Sequence, residues 1–161
     1  MNKRYGFSAL VLSTLLLASC AATHDLAHYP YPEAQAELRE VLNSIIHDAQ
    51  TANAVGLREG HLISDKFTKF GGRLYERLDF EQTVAGETGN ITTGKDFTYE
   101  VEDLKIDVFD DVAIMTYYGR VKRIVDGKPV RYSFRQTLVF LNTSDGWKII
   151  HEHQSRKEYA Q

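Results

Sequence analysis

The feature that most limits what this chain can fold into is a change of hydrophobic period near residue 95. Beyond Gly94, apolar residues recur at every second position, as in strands with two distinct faces. Residues 97–109 form the first such run, with Leu104, Ile106 and Val108 on one face. Asp110-Asp111 makes a turn into residues 112–125, and Asp126-Gly127 makes the next, since glycine accepts the positive φ of tight hairpins. Residues 130–141 and 147–156 follow, separated by Ser144-Asp145-Gly146. Four long strands joined by short turns predict an antiparallel meander.

Upstream the period is helical. Leu38, Val41, Leu42, Ile45, Ile46, Ala49 and Ala52 form one apolar stripe, which predicts a single amphipathic helix over residues 33–55. Pro32 suits its entry, and Gly56 and Gly60 its end. Residues 61–96 carry Phe67, Phe70, Leu74, Tyr75, Leu78 and Phe80 without a clean period, broken at Gly71-Gly72. A short helix is expected there over 79–85. Helices first and meander last give an α+β fold, with helices on one face of the sheet. The run 130–141 has apolar residues on both faces, so the second face is expected to be covered by another copy of the chain, a homodimer.

The N-terminus reads as an address. A basic head with Lys3 and Arg4 precedes the uncharged run SALVLSTLLLAS, too short to span a bilayer permanently but suited to a secretory signal. It ends in Leu17-Ala18-Ser19-Cys20, which resembles the lipobox of bacterial lipoproteins. That resemblance implies cleavage of residues 1–19 and acylation of Cys20, with Ser19 a tolerated departure from the commoner Gly or Ala. Ala21 follows where an Asp would imply inner-membrane retention, so the expected place is the cell envelope, at the outer membrane facing the periplasm in a diderm cell. Residues 20–32 form a tether ending in two prolines, and residues 33–161 form one domain. Cys20 is the sole cysteine, so no internal disulfide exists. The formal net charge of −3 grows more negative when Lys3 and Arg4 leave with the signal, and no basic block remains. That balance excludes nucleic acid as the expected partner.

The run RQTLVFLNTSDGWKIIHEHQS resembles the end of SnoaL-like domains in the nuclear transport factor 2-like superfamily. Arg135, Thr137, Val139, Phe140, Asp145, Gly146, Trp147, Lys148, Ile149, His151, His153 and Ser155 match its pattern, and DVAIMTYYGRV resembles the preceding hairpin. The resemblance implies a strongly bent sheet wrapped around N-terminal helices, a cone-shaped, cystatin-like α+β fold with an open pocket, often dimeric. The superfamily includes isomerases, dehydratases, epoxide hydrolases, transport factors and assembly domains, so activity must be argued from the site.

Strict alternation puts Trp147, Ile149, His151, His153 and Ser155 on one face of the last strand, and Lys148, Ile150, Glu152 and Gln154 on the other. We place Ile150, Glu152 and Gln154 inside, with Tyr132 and Gln136 near the pocket mouth. His151, His153 and Ser155 then share the outer face with Arg135 and Thr137 as a hydrogen-bonded interface patch. His151 and His153 could share a metal ion, but spacing marks no third ligand, although Glu100, Glu102 or Asp107 would serve if brought near. No metal site and no cofactor is therefore expected. Two functions remain. One is a lipid-anchored module that binds a small apolar or amphipathic molecule, mediates dimeric assembly, or both, without catalysis. The alternative is a small isomerase- or dehydratase-like enzyme in which Glu152, its pKa raised by desolvation, or His151 or His153 transfers a proton.

Overall fold

A computed structural model describes residues 25–72 and 74–157. The signal sequence and Cys20 lie outside the described residues. Helix α1 (Pro32–Gln50) starts with Pro32 in its first turn, where the missing N–H costs nothing. It buries Leu38 and Leu42 against the sheet. The stripe seen in the sequence is real, but the single helix expected over 33–55 is two. Ala52 takes a left-handed φ of 56°, and Asn53 caps a second helix, α2 (Ala54–Glu59), by accepting from the Gly56 N–H at 3.2 Å. Gly56 therefore lies within α2, where a Cβ would fall 2.3 Å from an Asp48 oxygen. Gly60 ends α2.

The segment without a period holds two elements. Strand β1 (Thr68–Gly72) was not legible as a strand, and it ends in the two glycines read as a break. Helix α3 (Phe80–Thr92) runs further than the short helix expected over 79–85. It begins with a capping box, in which Asp79 accepts from the Gln82 N–H and Gln82 accepts from the Asp79 N–H.

The meander follows as β2 (Lys95–Phe109), β3 (Val112–Val125), β4 (Lys128–Thr143) and β5 (Gly146–Lys157). The sheet has five strands, not four, in the order β1-β5-β4-β3-β2, with β1 parallel to β5 and the other neighbours antiparallel. Its inner face, including Met115, Phe134, Leu138 and Phe140, closes over Leu38 and Leu42 of α1 and Phe80 of α3 to make the core. The fold is α+β, a curved sheet packed on its N-terminal helices.

One irregularity positions the site. Val139 pairs with His151 and Phe140 with Ile149, so Ile150 has no partner on β4 and forms a bulge. Alternation along β5 is reset there. Trp147 and Ile149 are buried inward, and so are Glu152 and, partly, Gln154. Ile150, expected inside with Glu152, is the bulged residue instead. The segment after α2 repairs the backbone on this side: Leu62 N–H donates to the Ile149 carbonyl, and Ile149 N–H to that of Gly60.

Gly119 on β3 faces Phe134 on β4, and a Cβ there would stand 2.0 Å from the Phe134 ring. Glycine is required at this place by packing. Gly119→Ala should therefore lower stability by about 1–3 kcal/mol, the usual effect of overpacking. Gly89 in α3 has open space around its Cβ direction, so Gly89→Ala should raise stability by about 0.5–1 kcal/mol. Denaturant unfolding of the two variants checks both signs.

Candidate functional site

A cavity of about 350 Å³ opens between the inner face of the sheet and helices α2 and α3. That lies at the small end of the range for ligand pockets. Its walls are mostly apolar and aromatic, including Ile45, Leu78, Phe97, Tyr132, Phe134 and Leu138. At its base sits Glu152, only 4% exposed. A carboxylate buried so deeply must be compensated by partners.

Each oxygen has them. Oε1 lies 2.6 Å from His61 Nε2. Oε2 lies 2.8 Å from Lys69 Nζ and accepts from Gln136 Nε2 at 3.3 Å. Lys69 also donates to Glu87 on α3, whose carboxylate reaches to 3.6 Å from His61 Nε2. Gln154 Nε2 donates to the Gln136 carbonyl oxygen at 3.2 Å. The site thus gathers the segment after α2, strands β1, β4 and β5, and helix α3.

The hydrogen bonds set the protonation state. His61 Nδ1 stands 2.7 Å from the Leu57 carbonyl, which can only accept, so Nδ1 carries a proton. Nε2 faces a carboxylate, and the ring is an imidazolium. Burial alone would push the pKa of His61 down. The Glu152 hydrogen bond and the charges of Glu87 and Glu152 outweigh that and lift it to about 9. Burial likewise opposes ionisation of Glu152, but the Lys69 ammonium and the His61 hydrogen bond hold it well below the usual carboxylate range. Lys69 is pushed down by burial and more strongly up by Glu152 and Glu87. Two cations and two carboxylates therefore balance at the base of the cavity, while the Arg156 guanidinium lines its wall, 3.3 Å from the centroid of the Tyr132 ring.

The SnoaL-like domain family model matches residues 38–157. The chain belongs to that family. Among solved structures it is similar to a proposed dehydratase of the nuclear transport factor 2-like family from Streptomyces avermitilis, with a TM-score of 0.71 and 14% identity over 81% of this chain and 100% of that one. A nuclear transport factor 2-like superfamily protein from Salmonella enterica serovar Typhimurium gives 0.70 and 18% over 80% and 94%. An uncharacterised protein with a cystatin-like fold from Caulobacter vibrioides gives 0.64 and 16% over 78% and 91%. At these identities the likeness is one of fold. No curated protein matches the chain.

Within this SnoaL-like domain, Tyr132, Gln136, Glu152 and Gln154 all line the cavity, but Gln136, expected near the mouth, is buried at the base because it donates to Glu152. Arg135, Thr137, His151, His153 and Ser155 lie on the outer face. There Arg135 Nε donates to Ser155 Oγ at 3.2 Å, His151 Nδ1 is 2.8 Å from Thr68 Oγ1, and Phe70 packs edge-on against both imidazoles. The carboxylates considered as a third ligand do not join them. Glu100, Glu102 and Asp107 sit on β2, at the far edge of the sheet, paired with Lys122, Arg120 and Lys105. The raised pKa that would make Glu152 a general base is not found either; its cationic neighbours reverse the effect of burial.

His61, Lys69 and Glu87 were missed by sequence reasoning. All three lie in the segment without a period, and their one signal was a lysine set between Phe67 and Phe70, where a strand would bury it. Among the described residues, His61, Glu87 and Glu152 are also the group with metal-ligating geometry, their donor atoms within 4.8 Å of one another. The Lys69 ammonium bonds both carboxylates and occupies the place a cation would take.

Two tests follow from this arrangement. Lys69→Ala should acquire micromolar zinc affinity that the parent chain lacks, read by isothermal calorimetry; equal binding by both would show that Lys69 does not hold the cation position. The second concerns pH. The folded pKa of His61 is raised from 6.5, so its contribution is complete below pH 6.5 and lost as pH climbs to about 9. Glu152 is lowered, so its contribution is present above pH 4.5 and lost on acidification. Stability should peak between these limits and fall by up to about 3 kcal/mol from pH 6.5 to 9. His61→Gln should be less stable at pH 6 and lose that alkaline slope.

Proposed function

We propose that this protein is a binding module for a small, largely apolar molecule, anchored in the cell envelope through acylated Cys20 and working as a homodimer. The observation that carries the reading is the charge balance at the base of the cavity. His61, Lys69, Glu87 and Glu152 neutralise one another, and the oxygens of Glu152 are already engaged. Proton abstraction needs a group with a free lone pair and a pKa near the working pH. Glu152 has most of its acceptor positions filled and a pKa held well below the usual carboxylate range, and His61 holds its protons on two acceptors. The apolar walls, in contrast, offer burial to a ligand without demanding chemistry of it.

The dimer reading is supported by the outer face of the sheet, where Phe70, Ile114 and Tyr118 stand exposed beside Arg135, His151 and His153. A second copy would remove that apolar surface from water. For the anchor, the lipobox-like Leu17-Ala18-Ser19-Cys20 is the support. No helix among the described residues is long and apolar enough to cross a membrane.

Native mass spectrometry of the full chain, extracted from membranes in mild detergent, tests all three parts. The expected result is a dimer whose subunits lack residues 1–19, carry acyl mass at Cys20, and release an organic molecule on denaturation. Gly86 lines the cavity on α3 with open space at its Cβ position. Gly86→Phe should fold and lose the released molecule at least tenfold. An unmodified monomer without any bound molecule in the parent chain sinks the proposal.

A further inference from the structure

The cavity contains hydrogen-bonding capacity that the protein itself does not use. Tyr99 on β2 and Tyr117 on β3 both line it, and their hydroxyls meet at 2.8 Å. The Phe134 ring, admitted by the absence of a side chain at Gly119, packs edge-on against both at 5.5 and 6.4 Å between centroids. It wedges the two rings into place.

Counting protons gives the consequence. Two neutral phenols carry two hydroxyl hydrogens, and their mutual bond consumes one. Among the described residues neither hydroxyl has a second partner, so one hydrogen is left without an acceptor. That hydrogen points to the partly buried cavity and is open to an acceptor that enters it, a bond worth about 0.5–1.5 kcal/mol net. Burial, then the nearby charges, push the pKa of both tyrosines up, so the donor persists throughout the pH range of the folded protein. A second observation agrees. Thr83 on α3 lines the same cavity, is 2% exposed, and its hydroxyl oxygen has no partner.

The rest of the cavity selects what brings the acceptor. An anionic ligand would meet the carboxylates of Glu87 and Glu152, and a cationic one would meet Lys69 and His61. Either would need to break an existing ion pair at the base of the cavity, and the Arg156 guanidinium that also lines it is already stacked on the Tyr132 ring. The rings of Tyr99, Tyr117 and Phe134 suit a flat ring packed against them. We propose that the Tyr99–Tyr117 hydroxyl pair is the polar anchor of this cavity, donating a hydrogen bond to the carbonyl or ether oxygen of an uncharged, ring-containing molecule. This rests on the binding reading above and adds the ligand class.

Three probes of one shape separate the possibilities: 2-acetylnaphthalene, which accepts a hydrogen bond, 2-ethylnaphthalene, which cannot, and anionic 2-naphthoate. Dissociation constants are measured on the full chain by fluorescence titration. The ketone should bind about tenfold more tightly than the hydrocarbon, the net worth of one good hydrogen bond. Naphthoate should bind more weakly than the ketone. In Tyr99→Phe/Tyr117→Phe the ketone preference should fall to near one while the hydrocarbon's dissociation constant stays unchanged. Removing both hydroxyls deletes donor and acceptor together, which is nearly neutral for folding. Equal binding of ketone and hydrocarbon by the parent chain overturns the anchor and leaves the binding reading standing. So does a ketone preference that survives in the double variant. Tightest binding of naphthoate overturns the uncharged class. Failure of all three probes to bind overturns the binding reading together with the anchor. Should the double variant not fold, the comparison of probes on the parent chain still decides.

Discussion

The buried carboxylate of Glu152 is the constraint on which the site depends. Burying it demands compensating charge, and the fold supplies this from elements far apart in sequence: His61 after α2, Lys69 on β1 and Gln136 on β4. Glu87 on α3 then balances the second cation. Removing one partner would strand a charge, yet replacing such a cluster wholesale with apolar side chains is often neutral or stabilising. Stability alone therefore does not explain why four ionised groups share the base of a cavity. Together they make the base of the cavity polar without giving that base a net charge.

The bulge at Ile150 decides which side chains belong to that base. Without it, strict alternation would place Glu152 opposite Trp147 and Ile149, and one set would face water. With it, the two apolar residues fill the core and Glu152 still points inward. The bulge lies where the parallel edge changes from residues 60–62 to β1, so His61 and Lys69 approach Glu152 from successive segments of one edge. Sheet irregularity, edge pairing and site chemistry are one feature.

How much of this could be read from sequence depends on the element. The four strands of the meander were legible because apolar residues repeat at period two and the turns carry Asp-Asp, Asp-Gly and Asp-Gly. The α1 stripe was legible for the same kind of reason. The break at Ala52 was not, since it rests on one left-handed residue and an Asn53 cap within an unbroken apolar pattern. β1 was missed because a short edge strand ending in Gly71-Gly72 has too few positions to show a period. Missing β1 meant missing Lys69. Of the site, Glu152, Gln136, Gln154 and Tyr132 sat on legible strands. The partners that set the behaviour of Glu152 did not, so its pKa was expected to move in the direction of burial alone.

The stretch His151-Glu152-His153 shows why motif spacing is weak without register. Two histidines one residue apart suggest a metal clip, and the acid between them is then a bystander. In the structure the histidines face outward, beside Phe70, Thr68 and the Arg135–Ser155 pair, and the acid is buried. A metal at the cavity base would need His61 to give up the proton that Glu152 and Glu87 hold on it, and the Lys69 ammonium to withdraw from both carboxylates. The chain provides its own cation at that point, on a strand bonded directly to β5. The base of the cavity is thus closed by charges that the chain supplies itself, and its aromatic walls with the Tyr99–Tyr117 hydroxyl pair are what the proposed binding reading draws on.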